Sequence, residues 1–479
     1  MAKGKASKKL DHKADRKVDK KAGTRVGKKA ASAATRRLSR HLPRYQGADW
    51  LSRTLPTRAE AWTPDDAPGR LQQALAGNVL SWPKRRLFFI SDPHADAEAF
   101  EASLVASGGV SKTGPGLGDF TLTRPGRKGR FIIGGDCLDK GPSNLAMLRS
   151  LQQLIDSGAR VTLLAGNHDM RLLMGLMALE RQRSPRTEHL FVRMGRKVIP
   201  LLQEIHAEYL DDSAEALAGI PSSKVCRRRL LPRDSWFATF PALAEGFMPQ
   251  GAIDKELARL RKKVGHFEAA CDRAGLSLRQ VYAAALKLRE LFLHPKGEFA
   301  WFFQRMCLAH REGAFLFVHA GLDDEVAGII AAEGVAGLNR RFDRAVVEDP
   351  CGFYYGALAN TLRTKYRSVD FPLTEPGMAR LHEQGIHAVV HGHINLTRGQ
   401  QWRMRCGMLH LDGDITLDRH SRRKEGLSGP GMGATIIHPA GQVIGISNDY
   451  PHARVFDPAH ELAAATSRAS SPKSKAASS

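Results

Sequence analysis

Five short apolar runs, each ending in a polar cluster, limit most strongly how this chain can fold. The runs span residues 87–90, 131–133, 161–164, 315–318 and 386–390. Apolar runs of this length that stop at glycine-containing clusters are typical of buried strands. The middle of the chain is therefore expected to form an α/β fold.

A helical pattern joins the second run to the third. Ser143 can cap the helix, leucines recur at helical spacing from Leu145 to Leu154, and Gly158 ends it. A strand–helix–strand unit predicts parallel pairing with a right-handed crossover. Ligands of such sheets gather at the carboxyl ends of the strands, so the polar clusters are expected to converge on one site.

The clusters contribute carboxylates, imidazoles and one amide, without a thiolate. They contain Asp92, His94, Asp136, Asn167, His168, His319, His391 and His393. Such donors suit divalent ions such as manganese, iron, zinc, cobalt or nickel, and there are enough of them for two ions. A pair of metal ions can clamp the attacking and leaving oxygens of a phosphoester displacement.

The order and spacing of the clusters also resemble a known family. The motifs are Asp92-x-His94, Gly135-Asp136-x-x-Asp139-x-Gly141, Gly166-Asn167-His168-Asp169, His319-Ala-Gly321 and Gly392-His393. Together they resemble the calcineurin-like metallophosphoesterases, and within them the phosphoprotein phosphatase branch, with its bacterial Ser/Thr protein phosphatases and diadenosine tetraphosphatases. The resemblance implies a four-layer sandwich of two mixed β-sheets flanked by helices, with a helical insertion.

The resemblance also implies a role for each residue. Asp92 and His94 would bind the first metal ion, and Asp136 would bridge both ions. The second ion would be bound by Asn167, His319 and His393. His168 would protonate the leaving oxygen or stabilise its charge, and Asp139 would orient His168 and favour its protonated form.

Two positions depart from the branch. Lys140 stands where the branch usually has arginine, which grips phosphate with a bidentate fork. Arg171 is a candidate to share phosphate binding with Lys140, although both side chains could equally be ordinary surface charges. His391, directly before Gly392, has no counterpart in the branch, so we expect it near the site without a defined role.

The spacing of the motifs divides the chain. We predict a disordered basic tail over 1–48, an N-terminal extension over 49–84, and a phosphoesterase domain in two parts, 85–184 and 310–450. The intervening residues 185–309, called the helical block below, contain an apolar stripe at helical spacing and a capping box at Ser277 and Gln280. We interpret the helical block as a cap over the site. Residues 451–479 are predicted to be a second tail. Within the phosphoesterase domain we expect a loop or hairpin over 97–129 and a basic loop over 419–424.

The net charge of +23 is concentrated at the start of the chain, where residues 1–46 contain 16 basic and 3 acidic side chains. We favour a solvated tail, with weak nucleic-acid contact as the alternative. The apolar runs are too short for a membrane span. The six cysteines form no CxxC pair, and we expect a cytoplasmic protein.

These observations, with the resemblance, predict a metal-dependent phosphoesterase, like a protein Ser/Thr phosphatase, that uses a hydroxide bridging two divalent metal ions. Manganese is the favoured ion, and the substrate is expected to be a phosphoprotein or a nucleotide. The leading alternative is a hydrolase of nucleoside polyphosphates. An alternative from another class is a nucleic-acid-associated binding protein with a vestigial site.

Overall fold

A computed structural model describes residues 80–210, 217–405, 408–450 and 453–457. The strands are β1 Leu87–Ile90, β2 Val110–Lys112, β3 Phe120–Leu122, β4 Arg130–Ile133, β5 Val161–Leu164, β6 Met306–Cys307, β7 Ala309–Glu312, β8 Phe315–Val318, β9 Ala388–His391, β10 Gln401–Arg405, β11 Met408–Asp412, β12 Gly433–His438, β13 Gln442–Ser447 and β14 Arg454–Phe456.

The α-helices are α1 Ala97–Ala106, α2 Arg124–Lys128, α3 Asn144–Asp156, α4 Asn167–Ala178, α5 Ile199–Tyr209, α6 Ser223–Leu230, α7 Asp234–Ala244, α8 Gln250–Arg273, α9 Leu278–Leu293, α10 Ala300–Gln304, α11 Asp324–Glu348, α12 Pro350–Tyr355, α13 Glu375–Glu383 and α14 Arg419–Lys424. Segments 191–198 and 357–362 are 3₁₀-helical.

Twelve of the described strands form two mixed sheets, which confirms the predicted α/β class, and β2 and β3 form a separate hairpin. The larger sheet has the order β14-β13-β12-β1-β4-β5-β6, and the smaller one has the order β10-β11-β9-β8-β7. β1, β4 and β5 pair in parallel, as do β8 and β9. The predicted helix between β4 and β5 is α3, capped by Ser143, whose side chain accepts a hydrogen bond from the Ala146 amide.

Both faces of these strands are buried, which explains why the apolar runs lack alternation. Leu87 and Phe89 of β1 belong to a core between the two sheets, where Phe89 meets Phe317 with ring centroids 5.9 Å apart. Phe88 and Ile90, on the opposite face, belong to a core shared with the surrounding helices. The chain therefore packs as sheet on sheet with helices outside.

The helical block contains α5 to α10, and the capping box at Ser277 and Gln280 begins α9. Two local predictions were incomplete. Residues 97–129, expected to be a loop or hairpin, contain the β2–β3 hairpin and also helices α1 and α2. Residues 419–424, expected to be a basic loop, form α14 because Asp418 caps them by accepting hydrogen bonds from the amides of His420 and Ser421.

Within the parts of the chain that the structure describes, no helix combines the length and apolar character needed to cross a bilayer. The predicted tails, 1–48 and 451–479, lie outside the described residues except for 453–457, and so does most of the predicted extension over 49–84. The proposed nucleic-acid contact of the first tail lies outside them as well. The predicted division of the chain into parts stays a prediction.

Candidate metal and phosphate site

Loops at the carboxyl ends of β1, β4, β5, β8 and β9 meet at one edge of the two sheets. We call them the sheet-end loops; they comprise residues 91–95, 134–142, 165–169, 319–321 and 391–395. Backbone bonds join the first two: the His94 amide donates to the Asp136 carbonyl at 3.0 Å, and the Asp92 amide to the Gly135 carbonyl at 3.2 Å. All the residues predicted to bind metal lie on these loops.

The sheet-end loops hold an unusual concentration of strained backbone. Non-glycine residues with positive φ include six of the predicted site residues: Asp92, His94, Asp136, Asp139, Lys140 and His393. L-residues rarely adopt this left-handed region, and each such residue costs on the order of 1–3 kcal/mol. The strain persists only because surrounding packing enforces it, which is typical of sites that pre-position side chains.

Two glycines allow the loops to approach each other closely. A Cβ on Gly166 would collide with the backbone nitrogen of Asp136, and one on Gly392 would collide with the side chains of Ser91 and Asp92. Glycine is therefore required at these two motif positions, because only a residue without a side chain fits between the loops.

The loops bring potential metal ligands together. One ligand atom from each of Asp92, Asp136, His319 and His393 lies within 4.8 Å of the others. Nε2 of His94 lies 3.7 Å from Asp92 Oδ1 and 3.7 Å from Asp136 Oδ2. Burial raises the pKa of Asp136, but the neighbouring His319, His168 and His94 outweigh it and hold the pKa well below its usual value.

Two of the imidazoles are oriented for ligation by bonds on their far side. Nδ1 of His319 lies 2.7 Å from the Gly134 carbonyl oxygen, and Nδ1 of His94 lies 3.2 Å from that of Leu138. Donation from Nδ1–H leaves Nε2 with a free lone pair, as metal-ligating histidines require. Nε2 of His319 is buried without a hydrogen-bond partner and points at Asp136 Oδ1, 3.6 Å away. The donor set therefore fits a divalent cation.

Two side chains must move for the complete predicted set to bind metal. Nε2 of His94 lies 2.5 Å from the Lys140 ammonium, which has to turn away before His94 can ligate. The Asn167 side chain can donate two hydrogen bonds when its amide nitrogen lies 3.1 Å from His393 Nδ1 and 3.2 Å from the Leu362 carbonyl oxygen. A ligand must present the amide oxygen on that side instead.

His168 and Asp139 form the predicted pair. Nδ1 of His168 lies 2.7 Å from Asp139 Oδ2, and its Nε2 faces the ligand cluster, 4.0 Å from Asp136 Oδ2. Burial raises the pKa of Asp139 to about 6. Burial, aided by the positive charge of Lys197, lowers the pKa of His168 well below its usual value. The ring is thus neutral in this state, contrary to our expectation that Asp139 would favour the protonated form, and an anion beside it would raise its pKa again.

The two predicted phosphate-binding cations lie at the site. Lys140 contacts His94, and the Arg171 guanidinium lies within 3.3 Å of the Asn167 amide. The structure adds a third cation that sequence reasoning missed, since Nζ of Lys197 lies 3.4 Å from Nε2 of His168. Lys197 comes from the helical block, where nothing in the local sequence distinguishes it from other solvated lysines.

His391 lies beneath the site. It is fully buried, and its Nε2 lies 2.8 Å from Oδ1 of Asp412 on the neighbouring strand β11. Burial raises the pKa of Asp412, but His391 and Arg405 outweigh it and hold that pKa well below its usual value. His391 therefore anchors the end of β9, directly before the loop that contains His393.

Asp169 is a second residue whose part the sequence did not reveal. Its buried carboxylate accepts hydrogen bonds from the amides of Cys137 at 3.1 Å, Leu138 at 3.3 Å and Gly166 at 3.3 Å. It ties the loop after β5 to the loop that carries Asp136. Cys137 itself is buried, and burial raises its pKa well above the usual value, so it behaves as a small apolar residue.

No protein-family model matches the chain, and no curated protein matches it significantly. Among solved structures, it is similar to a cold-active protein-tyrosine phosphatase of a psychrophilic Shewanella species, with 13% identity over 78% of this chain and 80% of that chain and a TM-score of 0.38. It is also similar to a protein serine/threonine phosphatase from Saccharomyces cerevisiae, with 11% identity over 81% of this chain and 88% of that chain and a TM-score of 0.34. Likenesses this weak support no functional conclusion, so function has to be argued from the site.

Proposed function

We propose that this protein is a metal-dependent phosphoesterase, a phosphatase that hydrolyses phosphate esters at the sheet-end loops. The observation that carries the proposal is the cluster of Asp92, Asp136, His319 and His393, in which an unpartnered imidazole nitrogen faces a shared carboxylate. The adjacent His168–Asp139 pair supports it, since a metal-binding site alone would not need one.

Two divalent ions would be held by this set. Asp92, His94 and Asp136 would bind one ion, and Asp136, Asn167, His319 and His393 would bind the other. Manganese is the ion we favour, while iron, zinc, cobalt and nickel also suit nitrogen and oxygen donors. When bound, the ions supply Lewis-acid charge and lower the pKa of water.

The remaining residues would act on the phosphoryl group and the leaving oxygen. Lys140 and Arg171 would bind phosphoryl oxygens. Lys140 has to turn away from His94 before His94 can bind a metal ion, and the same movement would free its ammonium for a phosphoryl oxygen. A bound phosphoryl group would bring negative charge to His168 and raise its pKa, so that the ring can carry a proton to the leaving oxygen. Asp139 would keep the ring turned with Nε2 toward that oxygen.

The kind of phosphate ester is a separate question. Activity like that of a protein Ser/Thr phosphatase and hydrolysis of nucleoside polyphosphates both agree with the ligand cluster, because the cluster does not contact the leaving group. We further propose that the helical block caps the site, with Lys197 as its nearest group. Placement in the cytoplasm stays a prediction from the sequence.

Hydrolysis of a nitrophenyl phosphate in the presence of manganese tests the proposal. We expect turnover by the full-length chain, and a loss on the order of 10³-fold, about 4 kcal/mol of barrier, in Asp136→Asn. Asp272→Asn, at an exposed position of α8, removes an equal charge and should leave turnover unchanged.

An inactive wild-type chain with manganese bound would contradict the proposal. That result would favour the vestigial-site alternative, as would unaltered turnover in Asp136→Asn.

A further inference from the structure

The smaller sheet carries buried polar side chains on its outer face. Arg403 of β10 pairs in register with His410 of β11, and Asp412 of β11 pairs in register with His391 of β9. Arg405 lies two residues after Arg403 and therefore on the same face. The two histidines and Asp412 are completely buried, and Arg405 is 7% exposed. We call these five residues the buried polar cluster.

The only carboxylate of the buried polar cluster is already engaged by two partners. Nε of Arg403 lies 2.6 Å from Oδ2 of Asp412, and Nε2 of His391 lies 2.8 Å from Oδ1. Nη2 of Arg405 is left 3.8 Å from Oδ2, which is beyond hydrogen-bond distance. Counting only the described residues, no other carboxylate forms an ion pair with Arg405. A buried cation of this kind is costly unless something neutralises it.

Two side chains of the buried polar cluster also have donors without acceptors. Across the described ranges of the chain, Nη1 of Arg405 and both ring nitrogens of His410 are buried without a hydrogen-bond partner. Burial, with the charges of Arg405 and His391, lowers the pKa of His410 well below its usual value, so the ring is neutral and has one N–H to donate. Native proteins rarely leave buried donors unpaired. A positive charge and unpaired donors together call for an anion.

The ring of Tyr366 brings the two donors together. Its centroid lies 4.4 Å from the guanidinium carbon of Arg405 and 5.1 Å from the centroid of the His410 ring. The Leu322 amide donates to the Tyr366 hydroxyl at 3.0 Å, and the backbone of Tyr366 has a positive φ of 55°. This strained and anchored tyrosine holds its ring in place. Both donors therefore lie beside one fixed ring, within reach of the same small ion.

A small ion also has a route to this place. Strand β10 is the edge strand of the smaller sheet, and the Arg403 side chain on it is 27% exposed. Solvent thus reaches the margin of the buried polar cluster, while Arg405 and His410 stay inside.

We propose that Arg405 and His410 bind one small anion, such as chloride, behind the candidate metal site. A cation does not fit there, because Arg403 and His391 already occupy both oxygens of Asp412. A water molecule would pair with the donors but would leave the charge of Arg405 uncompensated. The carboxylate group of a larger ligand offers the same chemistry as a free anion, and the experiment separates the two. The proposal does not rest on the proposed function.

Urea denaturation of the metal-free, full-length chain tests the proposal, with sodium chloride exchanged for sodium gluconate at constant ionic strength. We expect the wild-type midpoint to rise with chloride and then to saturate, because an ion that binds only the folded chain stabilises it by mass action. Arg405→Met keeps a long side chain without the charge and should lose this dependence. Arg398→Met is the matched control, since it removes the same charge from an exposed position shortly before β10, and it should keep the dependence.

The same data should show a reversal of stability. In gluconate alone, Arg405→Met is expected to unfold at a urea concentration at least as high as that of the wild type, because it removes a buried charge without a counter-ion. In saturating chloride the wild type should be the more stable chain.

Chloride-35 NMR measures binding without unfolding. The chloride Kd, obtained from line broadening, should rise about tenfold in Arg405→Met and in His410→Phe, and it should stay unchanged in Arg398→Met. If Arg405→Met does not fold, His410→Phe decides. Sodium formate supplies the carboxylate arm: saturation of the wild-type midpoint at a lower concentration of formate than of chloride would support the site and identify a carboxylate group as its ligand.

Two outcomes would overturn the proposal. One is an equal chloride dependence in Arg405→Met and the wild type, which would mean that the ion binds elsewhere, for example at Lys140 and Arg171. The other is a wild-type midpoint that responds to neither chloride nor formate in a saturable way. No metal ion or phosphate ester enters these measurements, so a failure of the proposed function would leave their result unaffected.

Discussion

The sheet-end loops and the helical block contribute to the candidate site in opposite ways. The loops supply buried ligands on strained backbone, with glycines where the chains nearly touch. The helical block supplies an exposed cation, Lys197, whose ammonium lies 3.4 Å from Nε2 of His168. The difference suggests that chemistry and substrate choice are encoded separately. The chemistry needs ligand atoms held to a fraction of an ångström, whereas substrate choice needs only charge at an approximate distance.

The largest expected effect is that of a substitution at His168, which lies in the sheet-end loops. His168→Asn should keep both metal ions but lose about 10²–10⁴-fold in turnover of an alkyl phosphate, because an alkoxide needs a proton to leave. Turnover of nitrophenyl phosphate should fall far less, since nitrophenolate is a stable leaving group. Asp139→Asn should show the same selectivity more weakly.

Steady-state kinetics on both substrates, with metal content determined by elemental analysis, checks this prediction. Equal losses on the two substrates with metals intact would mean that His168 stabilises charge on the phosphoryl group and does not donate the proton.

The second prediction separates two neighbouring histidines. His393→Ala should remove about one metal ion per chain with little change in stability. His391→Ala should retain both ions and lower the free energy of unfolding by about 3 kcal/mol, because it leaves the buried Asp412 carboxylate without one of its partners. Metal analysis and urea denaturation check both variants. Metal loss in His391→Ala without loss of stability would reverse the assignment.

The third prediction compares glycines in the two regions. Gly166→Ala forces a Cβ against the backbone of Asp136 and should cost about 3 kcal/mol of stability and most metal binding. Gly195→Ala, in the helical block, would place its Cβ 3.6 Å from Nζ of Lys263, which is an ordinary van der Waals contact. It should cost about 1–2 kcal/mol for its left-handed backbone and leave metal binding intact. Similar metal loss in both variants would contradict the division of roles.

The smallest expected effect is on the pH dependence of stability. Burial lowers the pKa of Lys263 to about 7 in the folded chain, from about 10.5 when unfolded. Between these values the unfolded chain binds more protons, so this lysine makes stability rise as pH increases above 7. The slope is at most about 1 kcal/mol per pH unit and is reduced by partial exposure.

Lys263→Met should flatten this rise between pH 7 and 9, whereas Lys262→Met, at the next, exposed position of α8, should leave it unchanged. Urea denaturation at several pH values measures the slopes. A wild-type slope in Lys263→Met would show that solvent shields Lys263 from its neighbours.

The contrast between the sheet-end loops and the helical block also explains which features could be predicted from the sequence. β1, β5 and β8 span the same residues as the predicted apolar runs, because a strand buried on both faces leaves an uninterrupted apolar stretch. Potential ligands such as Asp136 directly follow a strand, so a short window shows strand, glycine and ligand together. The role of each as a ligand stays a prediction.

Other parts of the site have no such local signature. Lys197 resembles any lysine on a helical surface until the fold places its ammonium 3.4 Å from Nε2 of His168. The position of His391 depends on Asp412, a partner on another strand. Helix α14 was missed because its Asp418 cap precedes a run of charges that looks like a loop.

The pairing of β1 has a consequence for the timing of folding. Leu87 pairs with Ile437, some 350 residues later, and the helices of the helical block separate β5 from its neighbour β6. At about 5–20 residues per second, β1 waits on the order of 20–70 s during synthesis for its antiparallel partner β12. For that time one apolar strand edge is open to wrong pairing. Chaperone dependence and slow refolding are therefore expected of this chain, because its larger sheet closes only after the distant strand β12 has been made.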